Sequence, residues 1–215
     1  MTEPFETNRI FPISGKSTLL LALLGLVPYT GVINVDGVHH SSLSRSALRR
    51  YCFITVPQDP FTMTSATLRF NLDPGCEASD EVIVDALHQV HVWQHLAGEK
   101  MDARTILNAQ LSDLPILSTG HSQLLCLARS IVRKHIVCLA AAGARPILLL
   151  DEATASLDPE TEPLVYDVID EVFAGHTILV VAHKMGSPSG GLRRWANMFV
   201  HLRDGRLERV DYGDT

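Results

Sequence analysis

Ile147-Leu148-Leu149-Leu150-Asp151-Glu152-Ala153-Thr154-Ala155-Ser156-Leu157-Asp158 is the stretch that decides how this 215-residue chain is read. Its apolar opening, Ile147 to Leu150, has the pattern of a strand buried on both faces, the habit of a parallel sheet covered by helices. Two carboxylates follow at the carboxyl end of that strand, where open α/β sheets bind their ligands. Asp151 is placed to hold a Mg²⁺ ion through water, and Glu152 to polarise an attacking water. A buried strand ending in a solvated acidic turn is the competing reading. The continuation through Ala-Thr-Ala and Ser-Leu-Asp weighs against it.

Working outward, a helix is expected from about Glu160 to Phe173 with Leu164, Val168, Ile169 and Val172 inward. Thr177 to Val181 then reads as a second all-apolar strand, so strand, helix and strand form a right-handed crossover unit. Upstream, Lys16 opens a helix whose apolar face is Leu19, Leu20, Leu23 and Leu24 and whose end is marked by Gly25. Gly31 to Gly37 reads as a strand running into a turn, and Cys52 to Val56 as a strand stopped by Pro57. Residues 60–135 have a helical pattern. Ser79 caps one helix with the stripe Ile83, Ala86, Leu87 and Val90, and a second from Ser122 to Arg133 buries Leu124, Leu127, Ala128 and Ile131. The expected organisation is one domain over 1–215: an α/β core from about 1–59 and 136–215, interrupted by a helical lobe at 60–135. The first fifteen residues lack periodicity, and no apolar strand is read leading into Gly15.

Composition narrows the function classes. A formal charge of −6 argues against nucleic-acid binding by broad phosphate neutralisation. The four cysteines, Cys52, Cys76, Cys126 and Cys138, lack C-x-x-C spacing and read as reduced thiols. Ile131 to Leu150 is the most apolar long segment, but Arg133, Lys134, His135, Arg145 and Pro146 interrupt it, so no direct membrane insertion is expected. The start, Met1-Thr2-Glu3-Pro4, is unlike a signal peptide. His88, His91 and His95 are read as one helix face, solvated rather than metal-binding, and Arg203 to Arg206 as a hairpin turn.

Gly15-Lys16-Ser17-Thr18 has the chemistry of a phosphate loop. Its N–H groups and a helix N-terminus attract phosphate, Lys16 would reach the β and γ oxygens, and Ser17 would bind Mg²⁺. The usual glycine six residues before the lysine is Ile10 here, and another common glycine is Ile13, beside Pro12. Gln58, after its strand, is placed to sense Mg²⁺ or the attacking water, or is a turn amide. Leu117-Ser118-Thr119-Gly120-His121 offers a hydroxyl and backbone N–H groups at a helix start, or is an ordinary cap. His183, after the last apolar strand, could reach a γ-phosphate or be structural.

The order of these pieces resembles the nucleotide-binding domain of ABC transporters. Gly15 to Thr18 matches the end of Walker A, Val56 to Phe61 the Q-loop, and Leu117 to His121 the signature. Leu150-Asp151-Glu152 matches Walker B, Ser156-Leu157-Asp158 the D-loop, and Ala182-His183-Lys184 the switch histidine. Leu68 to Pro74 and Gln123 to Arg129 look like the second such domain of the multidrug-resistance-associated C subfamily, and Glu152 fits that assignment. The chain departs from the family in having only fourteen residues before Gly15, in His121 where the signature has glutamine, and in a longer segment from His135 to Ala144. A truncated or diverged copy is therefore expected.

The resemblance implies a P-loop NTPase core of RecA type with an inserted α-helical subdomain and a short antiparallel β portion. It implies ATP and Mg²⁺ as ligands, with Lys16, Ser17, Thr18 and Gly15 on phosphate, Ser17, Asp151 and Gln58 on the metal side, and Glu152, His183 and Gln58 in catalysis. It further implies a head-to-tail sandwich in which Ser118 and Gly120 contact nucleotide on a second nucleotide-binding domain. The work would drive transport, in the export direction, through partner transmembrane domains at the cytoplasmic face of a membrane. A different reading stays open on Ile10-Phe11-Pro12-Ile13: an interaction module that docks on a partner cassette without holding ATP. A soluble ATPase of the family acting in translation or DNA repair is disfavoured by the C-subfamily stretches and the negative charge.

Overall fold

The computed structural model describes residues 9–12, 16–98, 102–154, 157–158, 160–181, 196–203 and 206–212. These form two compact units, one from 1–55, 143–152 and 173–215, the other from 56–142 and 153–172.

The first unit is built on a sheet. Strand β1 (Arg9–Pro12) runs towards helix α1 (Lys16–Leu23), which ends before Gly25, whose φ of +66 is one that a side chain would resist. Strands β2 (Asn34–Val35) and β3 (Val38–His39) form a small antiparallel hairpin whose turn residues, Asp36 and Gly37, both have positive φ. A short helix α2 (Arg45–Ala47), capped by Ser44, leads through a wide turn into β4 (Phe53–Val56). Later come β5 (Ile147–Asp151), β6 (Ile178–Val181), β7 (Met198–Arg203) and β8 (Arg206–Tyr212). The six-stranded order is β4-β5-β6-β1-β7-β8, with β5, β6, β1 and β7 parallel and β8 antiparallel at the edge.

Leu149, Leu179 and Val181 join Leu20 of α1, Leu48, Phe53 and Val35 in one core cluster. The start of β5 is pinned from behind: Leu148 N–H donates to Thr177 O at 2.9 Å, and His176 Nδ1 donates to Pro146 O at 2.9 Å. A carbonyl can only accept, so the His176 tautomer follows from its partner.

Strand β1 corrects the sequence expectation that no strand leads into the phosphate loop. Its Ile10 aligns with Leu179 of β6 on one side and with Met198 of β7 on the other. Pairing on both edges supplies what local apolar character did not. The turn expected at 203–206 fits the Arg203↔Arg206 pairing of β7 with β8.

The second unit is helical. Here α3 (Leu68–Leu72), α4 (Asp80–Gln89), α5 (Trp93–Ala97) and α6 (Ala103–Asn108) gather with α7 (Thr119–Ala140), and α8 (Thr161–Val172) packs on α7. Ser79 caps α4 as expected, with Ile83, Ala86, Leu87 and Val90 buried. Each large aliphatic side chain buried in this way contributes roughly 1.5–3 kcal/mol.

Four expectations on these helices are corrected. Helix α7 begins at Thr119 and continues to Ala140, well past Arg133, because Ile136 and Val137 still find burial. Lys134 Nζ also donates to Val172 O at 2.6 Å, placing a cation on the negative end of α8. Its inward residue is Leu125 rather than the half-buried Leu124. On α8, Leu164 is exposed, and Val165 and Tyr166 are buried in its place. The three histidines do not share a helix: His88 is on α4, His91 sits in a turn at φ 58, and His95 is on α5.

Candidate functional site

The carboxyl ends of β5, β6 and β1 lie along one edge of the first unit's sheet. Register places Asp151 beside Val181, and Leu149 and Ile10 both beside Leu179. With neighbouring strands roughly 4.8 Å apart, the ends of β5 and β1 are separated by about 10 Å, one strand between them. Lys16 opens α1 just beyond β1, and the first turn of α1 carries no acidic residue to cancel its positive end. Lys16 and Ser17 therefore start a helix on the same sheet edge at which Asp151 and Glu152 emerge.

Asp151, the last residue of β5, is half-buried. Glu152, also half-buried, is turned out of the strand at φ 49, while its N–H still donates to Val181 O at 2.9 Å. A non-glycine residue in this region costs about 1–2 kcal/mol and persists where neighbours over-determine it, which happens often at active sites. The donor chemistry suits Mg²⁺: the Ser17 hydroxyl and the Asp151 carboxylate are hard oxygen ligands of the kind a mostly hydrated Mg²⁺ takes beside phosphate. Thr18 is exposed on α1. Gly15, Ser156 and His183 lie outside the described residues, as does the 186–191 loop.

The second unit carries Ser118, Gly120 and Gln58. Ser118 caps α7, its Oγ accepting from His121 N–H at 3.1 Å. The same Oγ is 3.1 Å from His121 Nδ1. Ser118 is exposed, and a Cβ built on Gly120 would lie 3.9 Å from Leu157, so the signature glycine packs near the D-loop leucine. The His121 ring stacks on His95, centroids 4.1 Å apart and planes 23° apart, and His95 Nε2 donates to Ile116 O at 3.1 Å. Desolvation, and secondarily the proximity of His95, hold the His121 imidazole below its usual pKa.

Gln58 is exposed, but the backbone before it is held. Gln123, 3% exposed on α7, donates from Nε2 to Pro57 O at 2.9 Å. Arg129 donates to Asn71 O at 2.6 Å and to Phe61 O at 2.9 Å. Asn71 in turn brackets Met63, accepting from its N–H at 2.8 Å and donating to its carbonyl at 2.9 Å. One helix thus carries the signature at its start and the anchors of the Gln58 segment one and three turns later. Sequence reasoning used Gln123 and Arg129 only as family matches; the available signal was an amide lying within the apolar stripe of α7.

Beyond Walker B, Thr154 Oγ1 is 3.2 Å from the Tyr166 hydroxyl, which donates to Glu162 at 3.1 Å. Burial pushes the Tyr166 phenol far up, so it stays a donor at any ordinary pH. Asp158 caps α8, accepting from Thr161 N–H at 2.9 Å and from its hydroxyl at 2.7 Å. Those hydrogen bonds hold its carboxyl below the usual range. Burial raises the Cys126 thiol, which makes it packing rather than a nucleophile.

The family model described as ABC transporter matches residues 14–155. ABC transporter atnG of Emericella nidulans is 36% identical over 173 residues, 80% of this chain and 10% of that protein. ATP-binding cassette sub-family C member 4 of Homo sapiens is 36% identical over 198 residues, 92% of this chain and 13% of that one. The ATP-dependent bile acid permease of Saccharomyces cerevisiae is 35% identical over 193 residues, 81% and 11%. The chain thus spans only 10–13% of the length of these relatives. A solved bacterial Atm1-family ABC exporter with ATP bound superposes with a TM-score of 0.75 at 24% identity, over 97% of this chain and 34% of that one. That likeness speaks for the fold. No described helix is long and apolar enough to cross a membrane.

Proposed function

This chain belongs to the ABC transporter family, as a nucleotide-binding domain of the C-subfamily type, and on that premise we propose that it binds MgATP and hydrolyses it to drive transport through partner membrane domains. The observation that carries the reading is the shared sheet edge, where α1 opens at Lys16 and β5 delivers Asp151 and the left-handed Glu152.

Lys16 and the N–H groups opening α1 hold the β- and γ-phosphates, with Gly15 and Thr18 completing the loop. Ser17, Asp151 and Gln58 would hold Mg²⁺, which when bound would neutralise phosphate charge. Glu152 orients the attacking water and takes its proton. Gln58 and His183 align water and γ-phosphate, so acceleration comes from positioning and charge complementarity. Ser118 and Gly120 meet nucleotide held by a second cassette in a head-to-tail pair, which makes one chain an incomplete site. Export through transmembrane domains, at the cytoplasmic face of a membrane, is the proposed setting.

Purified chain should bind MgATP saturably, alone and with a matching cassette. Glu152→Gln should retain nucleotide and lose turnover, while Lys16→Ala should weaken binding itself. Absence of saturable binding at millimolar MgATP would overturn the ATPase reading and leave a docking module, the role that Pro12 and Ile13 in place of a glycine-rich approach would suit.

A further inference from the structure

Ser118 has one hydroxyl proton and two lone pairs, and its surroundings claim most of them. One lone pair receives His121 N–H, and His121 Nδ1 lies 3.1 Å away as a second partner. While His121 is neutral with its proton on Nε2, Nδ1 accepts the Ser118 hydroxyl proton. Ser118 then shows solvent only a lone pair, which an anion repels. With a proton on Nδ1 the bond reverses: the imidazolium donates to Ser118, whose hydroxyl proton is released to point outward.

We propose that His121 is a positioning residue that commits or releases the Ser118 hydroxyl proton, so that contact between Ser118 and a phosphate of the opposing nucleotide is coupled to proton uptake at His121. The proposal rests on the reading that Ser118 meets nucleotide on a second cassette. A glutamine at this position donates from its amide whatever the pH, so histidine makes conditional what glutamine would leave permanent.

The stacked partner sharpens the response. His95 already has its Nε2 proton committed to Ile116 O, and a second charge on the pair would put two cations face to face at 4.1 Å. His121 is the ring of the pair that touches Ser118. Within α7, Thr119 to Ala128 contains no charged side chain. Among the described residues of α3, α4 and α8, which pack on α7, and of α5, which brings His95 onto His121, His95 is the group whose proximity acts on the His121 imidazole. Asp158, at the start of α8, is engaged by Thr161. Burial, and secondarily His95, disfavour the charged form of His121 in the free chain, and phosphate beside it favours that form. Between those two values, each engaged site takes up one proton and weakens about tenfold for each unit rise in pH, about a hundredfold for a pair of identical chains with two sites.

The test uses the full chain carrying Glu152→Gln, with saturating MgATP, and reads self-association by sedimentation velocity between pH 6 and 8.5. The parent should show the tenfold-per-unit weakening at each site. With His121→Gln added, association should persist and lose this dependence, whereas His95→Gln should move the parent's profile to higher pH. In the nucleotide-free chain, ¹⁵N spectra at high pH should report His121 as the Nε2–H tautomer. A neutral Nδ1–H tautomer, or parallel profiles for parent and His121→Gln with nucleotide binding intact, would overturn this proposal alone. Failure to bind MgATP would remove the function proposed above and this inference with it, and binding without self-association at any pH would overturn this inference alone.

Discussion

The backbone N–H of Glu152 donates to the carbonyl of Val181 at 2.9 Å even though Glu152 has already left strand geometry, at φ 49. This bond between the ends of β5 and β6 therefore fixes where the chain turns out of the strand. Val181 ends β6 as Asp151 ends β5, so one hydrogen bond joins the ends of two neighbouring strands of the sheet.

The turn at Glu152 makes a backbone prediction separable from chemistry. Glu152→Val should unfold at lower urea than Glu152→Gly, by about 1–2 kcal/mol, because a β-branched residue resists positive φ and glycine does not. Neither variant should turn over ATP. Equal urea midpoints for the two would mean that the left-handed turn is not held in solution.

Asn71 is 4% exposed and satisfies both backbone polar groups of Met63 as well as Thr67 O. Asn71→Ala should cost about 1–2 kcal/mol in denaturant unfolding, since Met63 N–H loses its acceptor and the carbonyls of Met63 and Thr67 each lose one of two donors. Asn71→Asp should be worse at neutral pH, because a carboxylate cannot donate to the carbonyls of Met63 and Thr67. Burial there raises the new carboxyl, so the variant should be most stable in acid and lose stability as pH rises through the carboxylate range. A pH-independent loss would contradict this account.

Adjacent leucines on α7 differ in environment. Leu125→Ala should destabilise by about 2–5 kcal/mol, as expected of a side chain with no exposure, and Leu124→Ala by roughly 1 kcal/mol or less. Thermal or urea melts of the pair check the facing of the helix. Equal losses would mean that it is rotated.

Asp158 binds the start of α8 more strongly as a carboxylate, and Thr161 holds its native value below that of the unfolded chain. Its contribution is complete above the unfolded value and is lost as pH falls through the native one. Stability of the parent should therefore decline more steeply in that acidic interval than stability of Asp158→Asn, measured by melts across it. Superimposable acid limbs would show that the cap is inactive.

Some of this molecule can be read from short stretches of chain. Ile147 to Leu150 announces a central strand because a strand covered on both faces has no polar side to interrupt the run. Ser79 announces the start of α4 because capping involves atoms only three residues apart. Lys16, Ser17, Asp151 and Glu152 are legible as candidate site residues for a related reason: motif spacing encodes a local turn beside a strand end.

Other features depend on partners distant in sequence. Arg9-Ile10-Phe11-Pro12 has no strand signature of its own, and becomes β1 because β6 and β7 offer hydrogen bonds on either side. Leu164 and Val165 both suit an inward position on α8, and the approach of α7 selects between orientations that local periodicity leaves nearly degenerate. His95 reads as surface until the fold brings it onto His121, and Gln123 reads as a family letter until Pro57 arrives to accept from it. The linear order of residues thus determined the fold class and the candidate phosphate-handling motifs, whose physics acts within a few residues. Only the tertiary structure decided the extra strand, the facing of α7 and α8 and the surroundings of the signature, because burial and hydrogen-bond partners there come from segments far along the chain.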